Sequence, residues 1–259
     1  MYKFIIAETK DSILSVKLNR PEVYNAFNED MLFELQDVFK KASEDSSVRC
    51  ITLTGEGRAF SSGQDLKDFT DKKSTFKEAL EKKYNPLINS ITSIQKPVIC
   101  GINGVAAGAG LSLALACDYR IAVESATLIE VFINVGLVPD SGSSFYLPKL
   151  IGYARAFEMC TTADKISAAV ALEWGLVNKV VSSQKILEKL MNITAKKYAS
   201  MPTKSIGMIK NLLNVSYNSD LNSILEMEGK YQDIAGQSND YKEGVSSFLE
   251  KRKPKFSGT

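Results

Sequence analysis

The sequence predicts an α/β protein with a largely parallel sheet and a helical C-terminal part. Two patterns carry this reading. Through about the first two thirds of the 259 residues, short apolar segments of strand character alternate with amphipathic helical segments, the alternation that builds parallel sheets. From about residue 183 onward only helical periodicity continues. The chain is 44% hydrophobic and long enough to bury a sizeable core.

Each element follows from its own spacing. In SILSVKLNR (12 to 20), Leu14, Val16 and Leu18 recur at period two, which predicts a half-buried strand ending at Pro21. In NEDMLFELQDVFKKASED, Met31, Leu32, Leu35, Val38, Phe39 and Ala42 fall at helical spacing, with Asn28 placed to cap the first turn. RCITLTGEG (49 to 57) reads as a buried strand leading into the loop RAFSSGQDL (58 to 66), and a charged helical stretch runs from about 74 to 94. PVICGI is a buried strand, NGVAAGAG a glycine and alanine loop, LSLALA a small-residue helix and YRIAV a further strand. TLIEVFINVG continues as strand up to Gly136. Four helices close the chain: QKILEKLMNITAKKYASM, PTKSIGMIKNLLNVSY, LNSILEMEGKYQDIAG and DYKEGVSSFLEKR, with Pro202 at a helix start. No repeat stands out at a fixed period.

Composition excludes several functions. A net charge of +2, spread along the chain apart from KRKPK (251 to 255), does not suggest a nucleic-acid partner. No apolar run reaches the roughly 20 residues that span a bilayer, and MYKFIIAETK has neither a signal-peptide core nor an Arg-rich presequence. The expectation is a cytoplasmic chain with no membrane partner. Cys50, Cys100, Cys117 and Cys160 are far apart in apolar segments and read as buried, reduced thiols. There is no histidine, so Ser-His-Asp and Cys-His machinery is impossible, and an acid or base is expected to be a carboxylate, with Lys, Tyr or Cys as the lesser alternatives.

Three segments could carry chemistry. Asp140 stands in NVGLVPDSGSSFYLPKL, where Pro139-Asp140-Ser141-Gly142 is also good turn chemistry. In NGVAAGAG the glycines fit neither a P-loop nor G-x-G-x-x-G, but small residues between strand and helix leave backbone N–H groups open to an oxyanion, or simply allow close packing. RAFSSGQDLKDF offers similar donors near Gln64, and is equally ordinary loop chemistry.

Taken together, FSSGQDL (60 to 66), NGVAAGAGLSLALACD (103 to 118) and VGLVPDSGSS (135 to 144) occur in the order and spacing of the crotonase, or enoyl-CoA hydratase/isomerase, superfamily. LNRPEVYNAFN, TADKISAAVALEWGLVNKVV (162 to 181) and FLEKRKPKF extend the resemblance over nearly the whole chain. The resemblance implies a crotonase-like spiral of ββα repeats over residues 1–200. It implies a helical subdomain at 201–259 that covers CoA and forms a homotrimer or a hexamer of paired trimers. It also implies an acyl-CoA substrate held at its thioester oxygen by the N–H groups of Gln64 and Ala109. Ser62, Gly63, Gln64, Asp65, Leu66 and Lys67 are expected to line the CoA, with Lys251 and the basic C-terminal end near its phosphates. No metal and no permanently bound cofactor are expected.

The acids decide the reaction. Family hydratases carry two glutamates, and alignment puts Ser112 and Phe132 at those positions. Glu130 is close to the second, but strand alternation puts it on the face of Phe132, leaving it a role only through a bulge or register shift. Asp140 stands where double-bond isomerases of the family carry Glu or Asp, including Δ3,Δ2-enoyl-CoA isomerases and the ring-epoxide isomerases of bacterial phenylacetate degradation. KYNPLINSI (83 to 91) echoes the latter. The expectation is an isomerase with Asp140 as proton shuttle, its pKa raised by Phe132, Leu137, Val138 and Phe145. A hydratase and a non-catalytic acyl-CoA-binding protein are the alternatives.

Overall fold

The computed structural model describes residues 2–65, 67 and 75–259. In chain order the strands are β1 (Ile5–Lys10), β2 (Ile13–Leu18), β3 (Cys50–Gly55), β4 (Ala59–Ser61), β5 (Val98–Ile102), β6 (Val105–Ala107), β7 (Tyr119–Val123), β8 (Thr127–Ile129), β9 (Ile166–Ser167) and β10 (Lys179–Val181). The helices are α1 (Glu29–Glu44), α2 (Phe76–Ala79), α3 (Asn85–Ser93), α4 (Ala109–Leu115), α5 (Ser143–Ile151), α6 (Tyr153–Thr162), α7 (Ala168–Trp174), α8 (Gln184–Ala199), α9 (Thr203–Ser216), α10 (Leu221–Gly236) and α11 (Asn239–Leu249).

Two sheets form the core, a six-stranded one in the order β1-β2-β3-β5-β7-β10 and a smaller one in the order β4-β6-β8-β9. Every pair in the large sheet is parallel except the hairpin β1-β2. That hairpin turns through Asp11 and Ser12, both at positive φ (52° and 60°), a two-residue geometry that matches strand twist. β3, β5 and β7 each pass directly to a strand of the small sheet, β4, β6 and β8, before a helix follows. This is the expected spiral of ββα turns. The middle strands β3 and β5 are buried throughout, as continuous apolar runs in parallel sheets should be.

Helix α1 matches its sequence pattern residue for residue. Its buried face is Met31, Leu32, Leu35, Val38, Phe39 and Ala42, and Asn28 Oδ1 accepts from Met31 N at 3.0 Å. The stretch expected as one helix from 74 to 94 contains a five-residue π turn, Leu80–Tyr84, between α2 and α3. Residue 74 lies outside the described residues.

One expected strand is corrected. TLIEVFINVG leaves the sheet at Ile129: Glu130 takes φ −92° and ψ 81°, and Val131–Val135 is a 3-10 turn capped by left-handed Gly136. Strand alternation therefore stops before Glu130. RAFSSGQDL and NGVAAGAG, expected as loops, each contain a short strand, β4 and β6, and the chain also contains β1, β9, β10, α5, α6 and α7, which sequence patterning did not single out; α5 is disguised by Pro148 within it.

The C-terminal helices are tied to the sheet by specific contacts. α8 packs across the large sheet closely enough that a Cβ on Gly101 would strike Met191 Sδ. On α9, Lys210 Nζ donates to Ile91 O at 2.7 Å and to Asp118 Oδ2 at 2.8 Å. Cys50, Cys100 and Cys117 are buried free thiols, and Cys160 is a half-buried one. Among the described residues no helix is long and apolar enough to cross a membrane.

Candidate active site

The loop after β4 uses most of its donors on the segment before α1 and on Ser61. Ser62 N donates to Tyr24 O (2.9 Å), Gly63 N to Ser61 Oγ (3.1 Å) and Asp65 N to Phe27 O (2.9 Å), while Phe27 N donates to Gly63 O (2.7 Å). Gln64 is thus the bridged residue facing Phe27, and backbone alternation turns its own N–H to the opposite side. That N–H meets no acceptor among the described residues. Asp65 anchors the loop: its carboxylate pairs with Arg20 at 3.0 Å and accepts from Lys67 N at 3.2 Å. Leu66, expected to contact CoA, lies outside the described residues.

Across from this loop, Gly108 (φ 50°, ψ −127°) turns the chain from β6 into α4. The first helical bond is Ser112 N to Gly108 O at 3.0 Å, so the N–H groups of Ala109, Gly110 and Leu111 precede the intrahelical ladder. Glycine lets the two segments meet. A Cβ on Gly63 would stand 2.8 Å from Ala107 O and 3.4 Å from Ala109 N, and one on Gly110 would stand 2.6 Å from Ser61 O. The donor-bearing backbones at Gln64 and Ala109 are therefore immediate neighbours.

Asp140 follows the 3-10 turn. Its carbonyl accepts from Ser143 N at 3.1 Å, closing a turn over 140–143 in which Ser141 (φ 51°) and Gly142 (φ 93°) are both left-handed. The tight turn is therefore one residue later than Pro139-Asp140-Ser141-Gly142, because the positive φ values fall on Ser141 and Gly142. The same carbonyl accepts from Ser112 Oγ at 3.0 Å, fixing the Asp140 backbone to the first turn of α4. Burial raises the pKa of Asp140, and the hydroxyl of Ser141, 2.8 Å from Oδ1, opposes the rise. The direction is as expected but the surround differs: Val138 is 79% exposed and so contributes no cover, whereas Phe132 is buried.

Ser112 and Phe132 do border this site. Ser112 is fully buried under the Asp140 turn, and the Phe132 ring lies 3.6 Å from where a Cβ on Gly108 would be. The residue that sequence alternation set aside is also here. Glu130 is fully buried, with Oε1 2.8 Å from Ser143 Oγ, which is itself 2.8 Å from Ser112 Oγ. Glu130 Oε2 has no hydrogen-bond partner among the described residues. Desolvation first, and then the charge of Asp140, push the Glu130 pKa up to about 8, against the lowering effect of Ser143. Beside the turn is a cavity of about 490 Å³, lined in part by Ile88, Asn89, Ser141, Gly142, Phe145 and Tyr146. Its size suits a small ligand.

The basic C-terminal end is held by contacts of its own. Arg252 forms a two-point pair with Glu243 (2.6 and 2.9 Å), and Arg49 holds the tail through Phe256 O at 2.8 Å. Lys67 and Lys251 are exposed. Among the described residues there is no cluster of His, Cys, Asp and Glu able to hold a metal. Chemically, the site offers adjoining backbone donors for a developing oxyanion and one accessible carboxylate held at a fixed turn.

Residues 8–259 match the model of the family described as Enoyl-CoA hydratase/isomerase. A 1,2-epoxyphenylacetyl-CoA isomerase of Escherichia coli (strain K12) is 40% identical over 262 residues, covering all of both chains. A protein of Rhodobacter capsulatus named "Probable enoyl-CoA hydratase" is 38% identical, covering 99% of each. The crystal structure of an enoyl-CoA hydratase from Bacillus anthracis superposes with a TM-score of 0.93 at 32% identity, covering 99% of this chain and all of that one.

Proposed function

The chain belongs to the enoyl-CoA hydratase/isomerase family, and on that premise we propose that it isomerises an acyl-CoA thioester, with Asp140 as the carboxylate that moves the proton. The observation that carries this is the composition of the site. Asp140 sits on a turn pinned to the helix that bears Ala109, while the resemblance to the family puts Ser112 and Phe132 at the positions of the two hydratase acids.

In this reading the thioester oxygen accepts from Gln64 N–H and Ala109 N–H. Ionised Asp140 removes a proton from C2 of a 3-enoyl-CoA, whose acidity the thioester and the adjacent alkene raise. The electron pair delocalises into a dienolate whose oxygen charge the two donors stabilise; losing one such donor costs roughly 3 kcal/mol or more. Protonated Asp140 then returns its proton to C4, so the double bond shifts to C2–C3 and no other reactant is consumed. With a ring epoxide in place of the alkene, the same base and donors promote opening to the ring-expanded isomer. The raised pKa of Asp140 improves it as a base. The cavity beside Ser141 and Gly142 accommodates the acyl group, and the 40% identical isomerase favours a ring-bearing one.

Parallel assays with 3-hexenoyl-CoA and crotonyl-CoA test this reading. The expected result is clear isomerisation of the first and weak hydration of the second; efficient hydration with no isomerisation would favour a hydratase instead.

A further inference from the structure

Glu130 plays no part in that proton transfer, yet it is the most constrained acid next to it. The side chains of Glu130, Ser143 and Ser112 form a chain that ends on the carbonyl of Asp140. Its links are Glu130 Oε1 to Ser143 Oγ (2.8 Å), Ser143 Oγ to Ser112 Oγ (2.8 Å) and Ser112 Oγ to Asp140 O (3.0 Å). Ser112 Oγ is also 3.2 Å from Gly108 O, the longest of its three contacts.

Counting hydrogens fixes the direction of the chain. Each hydroxyl supplies one, so two serines cannot make three links. An ionised Glu130 would take the Ser143 hydrogen. Ser112 would then have to choose between Ser143 and the Asp140 carbonyl, and one short contact would be left without a hydrogen. A protonated Glu130 supplies a hydrogen for each of the three shorter links: its O–H donates to Ser143, Ser143 donates to Ser112, and Ser112 donates to Asp140 O, with the 3.2 Å contact to Gly108 O left as the longest. The surroundings agree. Glu130 is 0% exposed, and Oε2 has no partner among the described residues. A carbonyl oxygen tolerates that far better than half of a buried carboxylate.

We propose that Glu130 is a positioning residue for Asp140, a buried neutral carboxylic acid that heads a one-way hydrogen-bond chain through Ser143 and Ser112 and clamps the Asp140 backbone against α4. This rests on Asp140 being the base. The titratable groups acting on Glu130 among the described residues are Asp140 from the turn and Cys160 from α6, both acids. Ser143 on α5 and Ser112 on α4 are neutral, and no cation pairs with Glu130 among the described residues. Ionisation of Glu130, around pH 8, breaks the chain and sets a second negative charge beside Asp140, so turnover falls on the alkaline side.

Two variants and one spectrum test this. Glu130→Gln keeps a donor that cannot ionise; Glu130→Met removes the donor at similar size. The expected kinetics with 3-hexenoyl-CoA are a kcat about ten- to a hundredfold lower in Glu130→Met with KM little changed. Glu130→Gln is expected to restore most of kcat at neutral pH and to lose the alkaline decline. Infrared difference spectra of wild type against Glu130→Gln should contain a protonated-carboxyl C=O band at neutral pH that vanishes on alkaline titration. Absence of that band overturns the neutral acid. Its presence with wild-type kinetics in Glu130→Met, or with the alkaline decline retained in Glu130→Gln, overturns the positioning role. The spectrum does not depend on turnover, so it is unaffected if Asp140 proves not to be the base.

Discussion

Ser141 holds a left-handed φ of 51° while its hydroxyl binds the carboxylate beside it, so one residue shapes the turn and tunes the acid. Ser141→Gly separates the two effects. Glycine accepts the backbone, but loss of the hydroxyl removes the contribution that lowers the Asp140 pKa, which then rises further. Because the base works ionised, the acid limb of the kcat/KM profile should move to higher pH in this variant. Glu130 makes a second prediction at this scale. Its folded pKa, near 8, lies above the ordinary carboxyl value, so between those two values the native state binds more protons than the unfolded chain. Stability should therefore fall as pH rises through that window, by an amount on the order of several kcal/mol, and urea titrations should show a flatter dependence in Glu130→Gln. The turn at Asp140 and the close approach of the Gln64 loop to the start of α4 were legible in the sequence through their motifs. The Glu130 chain was not, because it depends on where β8 ends, which period-two counting over TLIEVFINVG does not reveal.

Elements with strong periodicity and a cap were the most legible. The whole buried face of α1 and its Asn28 cap could be read from spacing, and Asn28→Ala should lower stability by about 1 kcal/mol in chemical denaturation. α5, α6 and α7 were hidden for physical reasons: they are short, and α5 carries Pro148. The attachment of α9 was equally invisible, since Lys210 reaches Asp118 from 92 residues away. Asp118 keeps 30% of its side-chain surface exposed, so water screens its charge when the cation is lost, and Lys210→Met should cost about 1 kcal/mol in equilibrium unfolding.

At the scale of the whole molecule, the ββα spiral places a glycine-rich junction of one turn beside the loop of the preceding turn, and the adjoining donors result from that stacking. No sequence period announces the spiral, because its turns share geometry and not residues. The C-terminal helices leave Leu221, Val245, Phe248 and Leu249 exposed, with Phe248 at 83%. Such a set is what a homotrimer would cover, and light scattering should give a trimer or hexamer mass. The central claim, that one carboxylate moves the proton, is tested most directly by Asp140→Asn, assayed with 3-hexenoyl-CoA while acyl-CoA affinity is measured by calorimetry. The account predicts a kcat lower by about a thousandfold with Kd within a few-fold of wild type; turnover at the wild-type rate in that variant would contradict it.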